Sequence, residues 1–323
     1  MAQFATTVCG PVPAEKLGRT LIHEHILFGY PGCQGDVTMA PKFDRAAIVA
    51  SSVEKIKRFR EVYNLGTIVD ATPNDCGRDP LLLQEIAEKS GVNIVCSSGY
   101  YYEGEGATAY YRIRSMVTDV DQEIYEMMKT EATVGIAGTG IKAGVFKVAS
   151  SANAITNYEK HFFVAAAKVS AETGTPIITH TQEGTMGFEQ AELLLANGAS
   201  PDRIMIGHIE GSTDLRYFLK ILETGVSIGF DRFGIENFFG SPTDAARVAC
   251  IVALVKSGYG DKIMVSHDSI YNWVGKSLDI LPPTHPETVF LKILSAFAAA
   301  GLSEAEINKI LIDNPRRFLS HVS

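Results

Sequence analysis

The stretch TLIHEHIL, residues 20 to 27, sets His23 and His25 on either side of Glu24 in an otherwise apolar run. Residues two apart on a strand share a face, so the two imidazoles converge while Glu24 points away from them. Neutral imidazole is a common ligand for transition metals, and a convergent pair suits one. Two core histidines satisfied by backbone groups, or a surface pair on an edge strand, fit the same spacing. The placement of the remaining ionisable residues has to decide.

Those residues fall in a pattern. Asp70, His180, His208, Asp231 followed by Arg232, and Asp268 each lie at or near the end of a short apolar or β-branched run, and Lys147 lies inside one, GVFKVAS. A lysine buried there loses charge because desolvation disfavours the ammonium, which leaves a nucleophilic amine at neutral pH. A salt bridge to Asp70 or Asp268 is the alternative. His161 in a helical run, His285 after two prolines and His321 in the tail read as surface residues; His267, beside Asp268, faces the opposite way along its strand.

The elements that must carry these groups repeat along the chain. Eight runs read as strands: 20–25, 66–72, 93–100, 144–150, 176–181, 204–209, 226–231 and 263–268. Between most of them lie segments with apolar residues at three- and four-residue spacing, such as DPLLLQEIAEKSG and GFEQAELLLANG, closing on Gly or Asn as helix C-termini do. Eight βα units in about 300 residues predict an α/β fold of the (β/α)8 barrel type. No linker rich in Pro, Gly or Ser divides the chain, so the expectation is a single domain over 1–323. In such a barrel the active site is built from the C-terminal ends of several strands, where these ionisable residues gather, and convergence of four histidines and an aspartate favours a metal.

Composition narrows the partners. A net charge of −8 with dispersed basic residues argues against nucleic acid or an anionic membrane surface, leaving a small molecule. Five cysteines, Cys9, Cys33, Cys76, Cys96 and Cys250, are odd in number and lack CxxC spacing, which fits reduced thiols. With no basic and apolar leader at the start and no long apolar stretch, a cytoplasmic location is expected. The GTGIKAG stretch (138–144) precedes a strand where a dinucleotide motif follows one.

The chain is similar to members of the amidohydrolase superfamily, within its phosphotriesterase branch. GRTLIHEHI (18–26) matches the N-terminal signature of that branch, and Lys147, His180 in ITHTQEG, His208 in IGHIEGSTD and Asp268 in MVSHDS follow in its order. GFDRFG (229–234) and SSGYYYEG (97–104) resemble the segments of the phosphotriesterase-like lactonases that place an arginine, here Arg232, and a tyrosine, here Tyr101, near the substrate. The resemblance implies two divalent ions per chain, zinc first, with manganese, cobalt or iron as alternatives. His23, His25 and Asp268 would hold the more buried ion and His180 and His208 the more exposed one. Lys147, carbamylated, would bridge them.

It also implies lactone hydrolysis, with N-acyl homoserine lactones foremost, quorum quenching as the consequence, and phosphotriester hydrolysis as a side activity. Water shared by the ions would attack the carbonyl, Asp268 would carry the proton to the ring oxygen, and Tyr101 and Arg232 would position the ring. Ile270, Trp273, Leu278, Ile280 and Leu281 after strand eight either line an acyl channel or only pack the loop. A sugar lactone phosphate would call on Arg232, Lys142 and Lys276; an N-acyl amide substrate and a non-catalytic ligand-binding barrel are the other readings. A homodimer is what the resemblance suggests.

Overall fold

The computed structural model describes residues 3–236, 240–278 and 285–322. Eight parallel strands form one sheet in chain order: β3 (Arg19–Glu24), β4 (Leu65–Asp70), β5 (Asn93–Gly99), β6 (Val145–Ser150), β7 (Ile177–Thr181), β8 (Ile204–Ile206), β9 (Ser227–Phe230) and β10 (Ile263–Val265). Each matches one expected run. The sheet curls into a nearly closed (β/α)8 barrel whose ends meet at the site: Asp268 N–H donates to His23 O (3.1 Å), His25 N–H to Ser269 O (2.9 Å) and Tyr271 N–H to His25 O (2.8 Å).

The crossover helices follow their sequence signals. Asp44 caps Arg45–Tyr63 by accepting from Ala47 N–H, and Asn64, at φ 57°, ends it in the left-handed region. Thr156 and Glu159 form a capping box at the start of Asn157–Thr173. Two helices, Thr108–Arg114 and Val120–Thr133, lie between β5 and β6, and the second buries Val120, Ile124 and Met128 at four-residue spacing. Among the described residues no helix is long and apolar enough to cross a membrane.

The barrel interior below the site is filled by one inward residue from most strands: Ile22, Val69, Val95, Val145, Ile178, Met205 and Met264. Its floor is closed by Ala5, Leu17 and Phe318. Ala5 belongs to a small antiparallel sheet, β1 (Gln3–Thr7), β2 (Gly10–Pro13) and β11 (His321–Val322), that the sequence reading did not contain. His321 is thus a half-buried sheet residue paired with Phe4, not a surface residue of a loose tail. The last glycine of GTGIKAG has a packing reason here: a Cβ on Gly144 would lie 2.3 Å from Thr6 O, so β1 can approach β6 only at glycine.

Two strands stop three residues earlier than expected. β8 ends at Ile206 and β10 at Val265, so His208 and Asp268 lie past the ladder, with φ of 56° and 55°. A left-handed residue breaks the period-two alternation, and the spacing rule cannot foresee where its side chain goes. Asp231 likewise follows the end of β9.

Candidate active site

His23, on β3, is fully buried and turned into the barrel mouth. Its Nδ1 lies 2.8 Å from Asp231 Oδ2, while Asp231 Oδ1 receives both the backbone N–H and the Nδ1 of His208, each at 2.8 Å. His25 Nδ1 is 2.9 Å from Thr72 Oγ1, whose hydroxyl donates to Leu27 O (3.2 Å) and is therefore an acceptor toward the imidazole. These partners assign the proton of all three rings to Nδ1. Every Nε2 lone pair is thereby aimed at the centre.

What meets there has the donor set of a metal centre. The Nε2 atoms of His23 and His208 and the carboxylate of Asp268 lie within 4.8 Å of one another. Asp268 Oδ1 is 3.0 Å from His25 Nε2 and 3.6 Å from His23 Nε2, and Oδ2 is 3.7 Å from His208 Nε2. His208 Nε2 is buried without a hydrogen-bond partner. Imidazole lone pairs packed against a carboxylate repel unless a cation lies between them, so the residues fit divalent ions. Burial above all pushes His180 and His208 well below the ordinary imidazole range, keeping them neutral as ligands must be. Burial opposes the charge of Asp268, yet the surrounding histidines and Arg232 outweigh it and hold the carboxyl well below its usual range.

Lys147, on β6, is 1% exposed and its Nζ lies 2.7 Å from His23 Nε2. Asp70 is not its partner: that carboxylate accepts from Ile26 N–H (2.8 Å) and Thr72 N–H (3.1 Å), ordering the turns after β3 and β4. His180, on β7, turns Nε2 to Gln182 Oε1 (2.7 Å), and its ring centroid lies 4.6 Å from that of His208. The side chains expected at the more exposed ion, His180 and His208, are as buried as His23. The His180 ring is packed by two tyrosines: Tyr101 meets it edge-on at 5.0 Å and Tyr102 stacks on it at 5.5 Å.

Arg232 reaches across the mouth, Nε donating to Asp268 Oδ2 at 2.9 Å, with about a quarter of the side chain exposed. Beside it stands an aromatic wall of Phe28, Tyr30, Tyr101 and Trp273. Phe28 contacts His25 (5.2 Å), Tyr30 (5.1 Å), Tyr101 (6.5 Å) and Trp273 (5.8 Å). Trp273 is fixed there because Phe28 N–H donates to Asn272 O (3.0 Å) and Val274 N–H to Phe28 O (2.7 Å). Ile270 is half-buried and Leu278 exposed, while Ile280 and Leu281 lie outside the described residues. Lys142 precedes β6 and so sits at the opposite end of the barrel, and Lys276 is exposed on its loop; with Arg232 they form no cationic cluster.

Asp231 stood among the strand-end residues in the sequence, but its grip on two histidines needed the fold, as did Thr72 and Gln182. Phe28 and Tyr30 follow the HxH motif by only a few residues and could have been suspected from that proximity. Gly207 carries a subtler signal: a Cβ there would meet Asp231 Oδ2 at 2.9 Å and Thr179 O at 2.4 Å, so glycine is what admits the carboxylate.

Comparison with known proteins finds relatives over nearly the whole chain. Residues 3–319 match the phosphotriesterase family. An organophosphorus hydrolase from Deinococcus radiodurans is 50% identical, the alignment covering 98% of this chain and 96% of that one with a TM-score of 0.95. A mutant PTE-like lactonase from the same organism is 49% identical over 98% of this chain and 99% of its own, with a TM-score of 0.94. The aryldialkylphosphatase of Saccharolobus solfataricus is 30% identical over 316 residues, 96% of this chain and 97% of that protein.

Proposed function

Since the chain belongs to the phosphotriesterase family of metal-dependent hydrolases, we propose that it opens lactone rings, N-acyl homoserine lactones foremost, at a centre of two divalent ions, zinc first. His23, His25 and Asp268 would hold one ion and His180 and His208 the other, with Lys147 carbamylated between them. When bound, the ions supply an activated water and polarise the carbonyl. Asp268, ionised in this setting, would take a proton from the attacking water and pass it to the ring oxygen as the acyl C–O bond breaks, yielding the hydroxy acid. Arg232, bonded to the same carboxylate, and Tyr101, edge-on to His180, fix the ring beside it.

The observation that carries the reading is the join between Arg232 and Asp268 at 2.9 Å, facing a wall of Phe28, Tyr30, Tyr101 and Trp273. One cation for a polar ring and an apolar wall for a carbon chain suit an acylated lactone better than a phosphorylated sugar, which calls for several cations. Phosphotriester hydrolysis is proposed as a side activity of the same centre, in keeping with a half-identical relative named an organophosphorus hydrolase.

The test is a substrate panel with zinc, manganese or cobalt supplied: acyl homoserine lactones of graded length, simple γ- and δ-lactones, sugar lactone phosphates, a phosphotriester and N-acyl amides, compared by kcat/KM. The acylated lactones are expected to lead. A sugar lactone phosphate or an amide leading by an order of magnitude would replace this reading, and no hydrolysis with fewer than one metal equivalent bound would remove the enzyme.

A further inference from the structure

Arg232 begins a loop that is held by its backbone rather than by its own side chain. Phe233 N–H donates to Ser266 O (3.3 Å), Gly234 N–H to both oxygens of Asp244 (3.1 Å each), and Ile235 O accepts from Arg247 Nη2 (2.7 Å). Arg247 is 1% exposed and its Nη1 also bonds Asp244 Oδ1 (2.7 Å). At Arg232 itself the fixing group is Glu210, whose Oε1 accepts the Arg232 N–H.

Glu210 is a strange residue to find there. It is completely buried in the turn Ile209–Gly211 that follows His208, and its second oxygen, Oε2, has no hydrogen-bond partner among the described residues. Arg247 Nε is a buried donor in the same condition, and the two side chains feel one another's charge. A buried carboxyl group with one oxygen unsatisfied costs stability. An apolar side chain of similar volume would avoid that cost and would equally fill the turn. What it would lack is an acceptor for Arg232.

We propose that Glu210 is the positioning residue of Arg232: by accepting the Arg232 backbone N–H within a loop clamped further along by Ser266, Asp244 and Arg247, it sets where the guanidinium meets Asp268. The inference rests on the reading of this site as a hydrolase centre in which Arg232 orients substrate. Glu210 touches neither the substrate nor the reacting atoms. It acts through the backbone, so its effect must vanish when the Arg232 side chain is absent.

Two near-isosteric changes separate reach from the carboxyl group itself. Glu210→Asp keeps the carboxyl group but is one methylene short of the Arg232 N–H; Glu210→Gln keeps the reach and an acceptor oxygen. Each is made in the wild-type and in the Arg232→Ala background, and kcat/KM is measured on the best lactone with metal content checked. Glu210→Asp is expected to lower kcat/KM by about 10- to 100-fold, the scale of a misplacement of about 1 Å, and Glu210→Gln to restore most of the rate. In the Arg232→Ala background both are expected to act less than about twofold, as in a double-mutant cycle where one residue works only through the other. Equal losses in both backgrounds would mean a general structural role and overturn the proposal, as would Glu210→Gln falling as far as Glu210→Asp.

A second readout does not need turnover. Amide hydrogen exchange in the segment containing Arg232 is expected to accelerate in Glu210→Asp and to stay native in Glu210→Gln; unchanged exchange in both overturns the proposal. If the wild-type enzyme opens no lactone, the functional reading falls while exchange still judges the positioning.

Discussion

His23 Nδ1 lies 2.8 Å from Asp231 Oδ2, and the other oxygen of the same carboxylate takes the Nδ1 of His208 at the same distance. One buried acid thus fixes the tautomer of two imidazoles that come from different strands. Burial opposes its charge, but His23 and the His208 backbone N–H outweigh burial and hold Asp231 below the ordinary carboxylate range.

Asp231→Asn keeps the shape and removes half of this function, because the amide has one acceptor oxygen and its nitrogen donates. One histidine then faces a donor and is driven to the wrong tautomer. Metal affinity is expected to fall by about 10- to 100-fold, the usual scale for losing an outer partner of a ligating histidine. Competition with a chelator measures it, and an unchanged affinity would show that neither ring depends on Asp231.

Lys147 gives a prediction for the metal-free protein. Burial above all pushes its amine down to about 8, against roughly 10.4 in an unfolded chain. Between these values the unfolded chain binds a proton that the folded chain has released, so stability rises with pH across this window. Below it the whole cost of burying the amine is present, roughly 3 kcal/mol at 1.36 kcal/mol per pH unit. Metal-free Lys147→Met is expected to be more stable than metal-free wild type by about that amount near pH 7, the gap closing toward about pH 10.5. Urea titrations at several pH values test it; a gap that does not narrow above pH 8 would remove the lysine as its cause.

The proposed carbamate has its own test. Lys147→Ala is expected to lose metal and activity together, and short carboxylic acids are expected to restore part of both by entering the vacated space as a bridging carboxylate. Full activity in the variant without added acid would refute the bridging role.

Trp273 belongs to the aromatic wall through Phe28 at 5.8 Å and Tyr30 at 6.3 Å. Trp273→Ala is expected to raise KM for long acyl chains by roughly 10-fold while leaving unsubstituted γ-lactones within about twofold, since a wall that contacts only the chain contributes about 1 to 3 kcal/mol to binding it. A parallel loss for short and long substrates would assign Trp273 to packing the loop alone.

Much of this site could be read from the sequence because strand alternation is a short-range rule. Lys147 points inward from β6 and His180 stands near the end of β7, both within regular ladders, while His23 and His25 reach the same mouth although the β3 ladder is irregular between Leu21 and Glu24 and His25 lies just past it. His208 and Asp268 were found by type and order, while their left-handed backbones put their side-chain directions beyond any periodicity. The links from Asp231 to His23, 208 residues apart, and from His25 to Thr72, 47 apart, have no local signature. The cap formed by β1, β2 and β11 was missed for the same reason, because β1 pairs with β11 across the whole chain.

Glu24 shows where a correct direction still concealed a role. It does face away from the metal ligands, yet it is fully buried. Its Oε1 accepts from Ser266 Oγ (2.7 Å), His267 N–H (2.9 Å) and His267 Nδ1 (2.8 Å), and Oε2 from Ser269 N–H (3.3 Å). His267 Nε2 in turn accepts from Val289 N–H (3.0 Å), which assigns its proton to Nδ1. Glu24 therefore bolts β3 to the segment that carries Asp268 across the seam where the barrel closes. Glu24→Gln puts a donating amide among donors and is expected to cost roughly 3 kcal/mol, as breaking a buried charged network does. Metal should bind more weakly as a consequence of the loosened seam, but by less than in Asp231→Asn, because every ligand tautomer is retained. Denaturant unfolding of the metal-free variant and chelator competition on the loaded one separate the two effects. A variant with native stability but a larger affinity loss than Asp231→Asn would make Glu24 part of the metal site rather than the fastening of the barrel.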